Sequence, residues 1–372
     1  MCGCGRWKEN RGPKERSLSS AVGSVAFTRR YWKCRCGADG SYAADAILGV
    51  EGERYTKTVQ KHCCRLAANM SFVSTSENLH EMLGVDICPE TVRKVVEGHG
   101  QKMARFQRQD TVSEETFRKA EGEVEFTTDA GKVNTREEGW KDLKIGVIAK
   151  RKAGQPTSPE QWQSQRLPLA TIVLAFAMIA PAKDFRKSWR PRLRRLGVTC
   201  MASIQVLADG ASWIWKAVGR VLTGCVQTLD FYHACQHLNR CAERIYGEGT
   251  TEKRVAYRYA RGLLLWQGWT GVCQWVSELL AVEEEKERER RRKATDRLIG
   301  YFSKHMTRLN YAARLQEGRA IGSGQVEGKA KTLGLRLKAR GARWRNRNVL
   351  PMASLVCVRH SSQWEAYWAM AA

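Results

Sequence analysis

The chain has 372 residues, with 63 Lys and Arg against 38 Asp and Glu, a formal net charge of +25. At 43% hydrophobic and 27% charged it has an ordinary globular composition, long enough for roughly two or three domains and at least one sizeable core. The longest apolar run, residues 169–180, falls short of the roughly 20 residues of a membrane span, and 13 unevenly spaced cysteines fit reduced thiols and a metal site better than a disulfide framework, so membrane, collagenous and small secreted classes are excluded.

In chain order, residues 1–45 carry two Cys-x-Cys pairs, Cys2/Cys4 and Cys34/Cys36, around a strand-like SVAFTRRYWKC. Two such pairs can close a tetrahedral zinc site that lets a short segment fold without its own core; thiols with no common ligand are the alternative. The opening MCGCGRWKENRG lacks the apolar stretch of a signal peptide, which predicts a cytoplasmic protein.

Residues 46–118 read as helices. Leu79, Met82 and Leu83 form one apolar face, Gly84 a turn, and Pro89 opens a second helix with Val92, Val95 and Val96 inward and Thr91, Arg93 and Lys94 outward. This is the outline of a helix-turn-helix, with a plain helical bundle as the alternative.

From Gly122 the pattern changes to strands: GEVEFTTDA, LKIGVIAKR, LATIVLAFAMIA, SIQVLADG and CVQTLDFYH, the later ones interleaved with helices, predict an α/β domain. Residues 236–316 read as helix throughout. Basic residues cluster: seven of the thirteen positions 183–195 are Lys or Arg, as are eight positions in 328–347, a stretch without a single acid. Such runs neutralise phosphates, whereas solvated faces mix signs. A basic surface kept only for solubility is the bland alternative. At helical spacing Lys331 and Lys338 share a side with Glu327, while Lys329, Arg336, Arg340 and Arg343 form an opposite stripe; a break at Gly334 competes with this.

Three acids stand where packing does not call for them. Asp129 and Asp209 end apolar strands, and Glu327 opens a basic helix after Gly-Ser-Gly. Acids at neighbouring strand ends can converge, and a few carboxylates suit Mg²⁺. Two such ions about 4 Å apart can activate a water or a 3′-hydroxyl in phosphodiester chemistry. Taken singly, each acid also has a structural reading as a turn residue or a helix first-turn acid. In DFYHACQHLNRC, His233, His237 and Cys241 share a helix face, which reads as packing rather than as a metal site.

Asp129, Asp209-Gly210 and Glu327, with Asp230-x-x-His233 between the last two, resemble the DDE transposases of the Mutator-like group. More narrowly, Trp213 and Trp215 after Asp209-Gly210, LDFYHACQHL, GSGQVEGKAK and RLKARGARW look like bacterial insertion-sequence transposases of the ISKra type. The resemblance covers most of the chain. It implies a multidomain α/β protein with an RNase H-like catalytic core (119–235 and 317–372) interrupted by an all-α insertion (236–316). A zinc-ribbon-like segment (1–45) and a DNA-binding helix-turn-helix region (46–118) would precede the core. It further implies Mg²⁺ or Mn²⁺ held by Asp129, Asp209 and Glu327, supported by Asp230 and His233, and a structural Zn²⁺ on Cys2, Cys4, Cys34 and Cys36. Where such proteins have Cys-Pro-x-Cys-Gly, this sequence has Cys2-Gly3-Cys4-Gly5. The activity implied is hydrolysis at transposon ends and transfer of the 3′-hydroxyls to target DNA by a nucleoid-associated homodimer or larger assembly. A non-catalytic DNA-binding remnant and a nuclease without strand transfer are the alternatives. Double-stranded DNA would be met by Thr91, Arg93, Lys94, Lys331, Arg336, Lys338, Arg340 and Arg343.

Overall fold

The computed structural model describes residues 1–339 and 341–370. β1 (Glu9–Ser20) and β2 (Gly23–Lys33) form an antiparallel hairpin, in register from Glu9↔Lys33 to Ser20↔Gly23 with an irregularity between Asn10 and Pro13. Few of its side chains are buried, Leu18 being the main apolar exception. The hairpin is tied to residues 43–56 by backbone bonds from Ser19 to Arg54 and from Thr56 to Ser19, and by Arg16 and Arg29, which both pair with buried Asp45 in α1 (Ala43–Ile47).

Four helices come next: α2 (Lys57–Ala67), α3 (Phe72–Leu83), α4 (Pro89–Gln109) and α5 (Thr111–Lys119). Ser71 caps α3 by accepting from the Ser74 N–H, and Gly84 ends it at φ 60°, a left-handed conformation that glycine adopts without a Cβ penalty. Pro89 stands in the first turn of α4, where a missing N–H costs nothing. Val92, Val96, His99, Met103 and Phe106 recur at helical spacing along one buried face of α4.

The central sheet has five strands: β3 (Glu123–Thr135), β4 (Gly139–Arg151), β5 (Ile172–Ile179), β6 (Ile204–Ala208) and β7 (Val226–Leu229). Their spatial order is β5-β4-β3-β6-β7, with β5, β4 and β3 antiparallel and β3, β6 and β7 parallel. The chain is therefore a mixed α/β protein built on a mixed sheet. Helices α6 (Ala182–Lys187) and α7 (Trp189–Arg195) lead from β5 to β6, and α8 (Ser212–Val221) crosses from β6 to its parallel neighbour β7, a connection that parallel pairing requires. After β7 come α9 (Phe231–Tyr246), α10 (Thr251–Gln267), α11 (Trp269–Leu280), α12 (Glu285–Phe302) and α13 (Tyr311–Gln316), an all-helical stretch as the sequence predicts. The chain then closes with α14 (Gly324–Leu337), α15 (Asn346–Arg359) and α16 (Trp364–Met370).

Alternation along β3 and β4 divides the apolar residues between two cores. Val124, Phe126 and Ile148 join Phe185, Trp189, Ile214 and Val218, and this core continues into Leu238, Leu264 and Leu298 of the helical stretch. Val133, Ile145 and Val147 join Val92, Val96 and Met103 of α4, Leu333 of α14 and Leu355 of α15. Each core thus runs across a boundary drawn from the sequence, at 118/119 and at 235/236. No helix among the described residues is long and apolar enough to cross a membrane.

Candidate active site and metal centre

The site begins with strand register. β3 pairs with β6 as Thr127↔Leu207, and β6 with β7 as Ala208↔Leu229. Carried on a residue or two, that register sets Asp129, Asp209 and Asp230 abreast on one face of the sheet. It is the face of Ile145, the cross-strand partner of Asp129, and α14 packs over β3 and β4 there with Glu327 in its first turn.

Each acid is held differently. Asp129 Oδ1 accepts from the Ala130 N–H at 2.6 Å. Burial raises its pKa above the ordinary carboxylate value; the Ala130 N–H and the His233 charge oppose this, while the negative charges of Asp209 and Glu327 add to it. Asp209 Oδ1 accepts from the Ala211 N–H at 2.9 Å, closing the turn into α8, and its carbonyl accepts from Trp215 Nε1 at 2.7 Å. Gly210 is pressed so closely against Tyr301 that a Cβ there would collide with the phenol. Tyr301 is itself stacked on His237, ring centroids 3.5 Å apart. Glu327 is exposed and bound through its own N–H to the Ser323 carbonyl at 3.2 Å.

Asp230 is fully buried. One oxygen accepts from the His233 N–H at 2.8 Å and from His233 Nδ1 at 3.1 Å; the other accepts from the Ser323 N–H at 2.5 Å and the Ser323 hydroxyl at 2.7 Å. Burial raises this carboxyl, but the four hydrogen bonds outweigh burial and hold it below the ordinary value. The same bond to Asp230 raises His233 against the effect of burial, with Asp209 and Glu327 adding to the shift. Asp230 thereby joins the start of α9 to the start of α14 and fixes the turn from which Glu327 projects. Ser323 is the member of this arrangement that sequence reasoning missed, although the Ser-Gly opening of a helix is a capping signal.

The cysteine pairs meet at the base of the hairpin. Cys2 and Cys36 sulfurs lie 3.6 Å apart, as do those of Cys4 and Cys34, and all four are within 4.8 Å of one another. Tetrahedral Zn²⁺ with bonds of about 2.3 Å spaces its sulfurs about 3.8 Å apart, so this cluster can hold a metal such as zinc. The Cys4 N–H and the neighbouring thiols pull Cys2 down to about 7, while against the Ala38 N–H the same thiol contacts push Cys36 up to about 12, so one thiolate forms readily and a metal would have to displace the remaining protons. Among the described residues it is the one group of three or more metal-ligating side chains gathered so tightly. Asp209 and Glu327 act on Asp129 without the three carboxylates converging to that degree.

No known family model and no curated protein matches this chain.

The basic residues expected to meet DNA fall into two groups. Lys94, Lys331, Lys338 and Arg343 are exposed and Thr91 is half-buried. Arg93 is engaged by Glu90 and Glu97 on its own helix. Arg336 is buried: its Nε donates to the Ala67 carbonyl at 2.6 Å and its guanidinium lies over the Phe72 and Trp344 rings. Arg340 lies outside the described residues. α14 runs unbroken through Gly334 but ends at Leu337, so Lys338 and Arg343 do not continue its stripes. Cys241 is buried in the core and His237 is stacked on Tyr301, so neither approaches a metal-like grouping with His233.

Proposed function

We propose that the chain is a DNA transposase of the DDE type, acting on transposon ends and then on target DNA. One observation carries the reading: Asp209 and Glu327, far from Asp129 in sequence, come near enough over one face of a mixed sheet to add to the effect of burial in raising its carboxyl, inside a chain of net charge +25. Three antiparallel strands followed by two parallel ones, with the helical stretch entering after the last strand, support an RNase H-like core.

The donor set fits a divalent cation. Hard carboxylate oxygens suit Mg²⁺ or Mn²⁺, and an Asp129 carboxyl raised partly by like charges gains by sharing them with a cation. A pair of ions about 3.5–4 Å apart also calls for carboxylates spread more widely than a single coordination shell. Asp129, Asp209 and Glu327 would hold them, and such ions supply an activated water or 3′-hydroxyl and stabilise the leaving oxygen. Asp230 and His233 position the acids: Asp230 by its grip on Ser323, His233 by a ring that Asp230 holds and whose protonated form Asp209 and Glu327 favour. The basic surface holds the DNA backbone. The cysteine cluster and α2–α4 would recognise the transposon ends, and synapsis of two ends would need at least a homodimer.

The test is cleavage and strand transfer on duplexes carrying the DNA that flanks the coding sequence, with Mg²⁺ or Mn²⁺. The wild type is expected to cut and join, and Asp129→Asn, Asp209→Asn and Glu327→Gln to bind the same DNA and do neither. Binding without cutting by the wild type would instead mark a DNA-binding remnant. Cutting without joining would mark a nuclease, and cutting that survives Glu327→Gln would put the active site elsewhere.

A further inference from the structure

A groove of about 630 Å³ opens at the far end of α14 from Glu327. Its wall carries Arg93, Arg136, Arg336, Arg343, Arg345 and Arg347, against a single acid, Glu97. That acid is already spent on Arg93 and on the Asn348 amide at 2.7 Å. The excess of arginine is built in rather than accidental. Residues 343–345 are extended along the end of β3: Arg136 N–H donates to the Trp344 carbonyl at 2.8 Å, and Trp344 N–H to the Asn134 carbonyl at 3.1 Å. Trp344 turns inward and donates from Nε1 to the Leu337 carbonyl at 2.9 Å, so alternation turns its neighbours Arg343 and Arg345 outward together.

Two further features point to an anion. The N-termini of α3 and α15, helices of 12 and 14 residues, both open on this groove, Ser71 and Phe72 at one and Arg345, Arg347 and Asn348 at the other. At the first the Ser71 hydroxyl already accepts from the Ser74 N–H, and at the second Glu137 already accepts from the Asn346 N–H at 2.9 Å, so what the two helix ends add to the groove is the positive end of each dipole. In addition Arg336, only 5% exposed, has no carboxylate against it, and its Nη2 finds no hydrogen-bond partner among the described residues. The Phe72 and Trp344 rings offset part of the cost of burying this cation, and with no acid beside it its charge adds to the positive wall of the groove although Nη2 itself is sealed from it.

We infer that this groove is a binding site for a phosphate-bearing ligand, separate from the carboxylate cluster. The phosphate can come from a nucleic-acid strand or from a free phosphate compound. Anion binding here stands without the catalytic reading; the link to the acids rests on it. Arg336 follows Glu327 along one continuous helix, a separation of about 13 Å, roughly four stacked nucleotides. At about 100° per residue Arg336 faces the side of α14 opposite Glu327, so a strand held in the groove would have to pass round the helix to reach the acids.

The experiment compares wild type with the double variant Arg343→Ala/Arg345→Ala, whose side chains are exposed, and with the control Lys286→Ala/Arg292→Ala on the exposed face of α12. Inorganic pyrophosphate is titrated by calorimetry and a labelled oligodeoxythymidylate strand by anisotropy across a salt series. The arginine pair is expected to weaken binding about tenfold and to lower the salt slope for the strand by about 1.4, at about 0.7 for each phosphate no longer neutralised; the control pair should do neither. Binding of the strand but not pyrophosphate assigns the groove to phosphodiesters, and the reverse assigns it to a free phosphate compound. Binding of neither ligand, or affinity and slope unchanged in the arginine variant, overturns the inference. Asp129→Asn should keep groove binding whatever it does to cleavage, so the two readings fail separately.

Discussion

Asp129 holds its proton more tightly folded than unfolded, because burial and the charges of Asp209 and Glu327 outweigh the Ala130 N–H and His233. The folded state therefore binds the extra proton in the window from 3.8 up to the raised value, and the stability this residue contributes falls as pH rises through that window. Asp129→Asn is expected to flatten that fall, so its urea midpoint should gain on the wild type as pH rises through that window and hold the gain above it. A divalent cation should reverse the ranking by stabilising only the wild type. His233 runs the same way in a higher window: its raised value makes its contribution complete below 6.5 and lost as pH rises from there through the folded value. Next door, Gly210→Ala forces a methyl onto the Tyr301 phenol. The expected cost is about 1–3 kcal/mol, read by urea unfolding, together with loss of any cleavage because the Asp209 turn must move. The acids themselves are legible in the sequence as charges out of place; Tyr301 is not, since nothing in an exposed, charge-rich helix marks its last turn as the wall of a site.

At the level of elements, Asp230 joins two helix starts that 93 residues separate. Asp230→Ala leaves two backbone N–H groups, a hydroxyl and the His233 ring without their acceptor, which should cost about 3 kcal/mol or more. Ser323→Ala removes one hydroxyl bond to a charged acceptor and should cost about 1.5–3 kcal/mol, and metal-ion affinity should drop in both if Glu327 loses its placement. The hairpin depends on its metal more than on packing. Purified protein should carry one zinc per chain, and chelation or Cys34→Ser should expose β1 and β2 amides to hydrogen exchange while β3–β5 stay protected. The strand β1, ENRGPKERSLSS, escapes sequence reading because it has almost no apolar alternation; its ladder is held by a partner strand and a metal rather than by a core. The polar second half of β3 escapes for a related reason: GKVNT lacks the apolar character of the run expected to end at Asp129, yet β4 pairs with it residue for residue to Thr135↔Gly139, so Asp129 lies inside the strand rather than at its end. By contrast β5, a continuous apolar run, and α4, with Pro at its start and valines at helical spacing, are plain in the sequence.

Across the whole molecule, composition and periodicity reveal the alternation of helical and stranded regions but not which regions share a core. α15, with Pro351 inside it, offers little helical pattern, and its partnership with α4 is a matter of close approach: a Cβ at Gly100 would meet the Pro351 backbone. The buried bonds of His99 to Gln60 and Tyr367 tie the same regions together across the length of the chain. Removing residues 1–42 should leave both cores intact and the protein soluble. Removing residues 1–118 strips Val92, Val96 and Met103 from Val133, Ile145 and Val147 and should give an insoluble chain, as expression and solubility of the two truncations will show.

Both ends of α14 are pinned, Ser323 by Asp230 and Arg336 by the Ala67 carbonyl. The helix between them therefore behaves as a gauge rod of fixed pitch. One inserted residue would lengthen it by about 1.5 Å and twist one end against the other by about 100°, swinging Glu327 or Arg336 out of its seat. Substitutions along its exposed side leave that gauge untouched, so descendants of this chain are free to vary the letters of α14 but not their number.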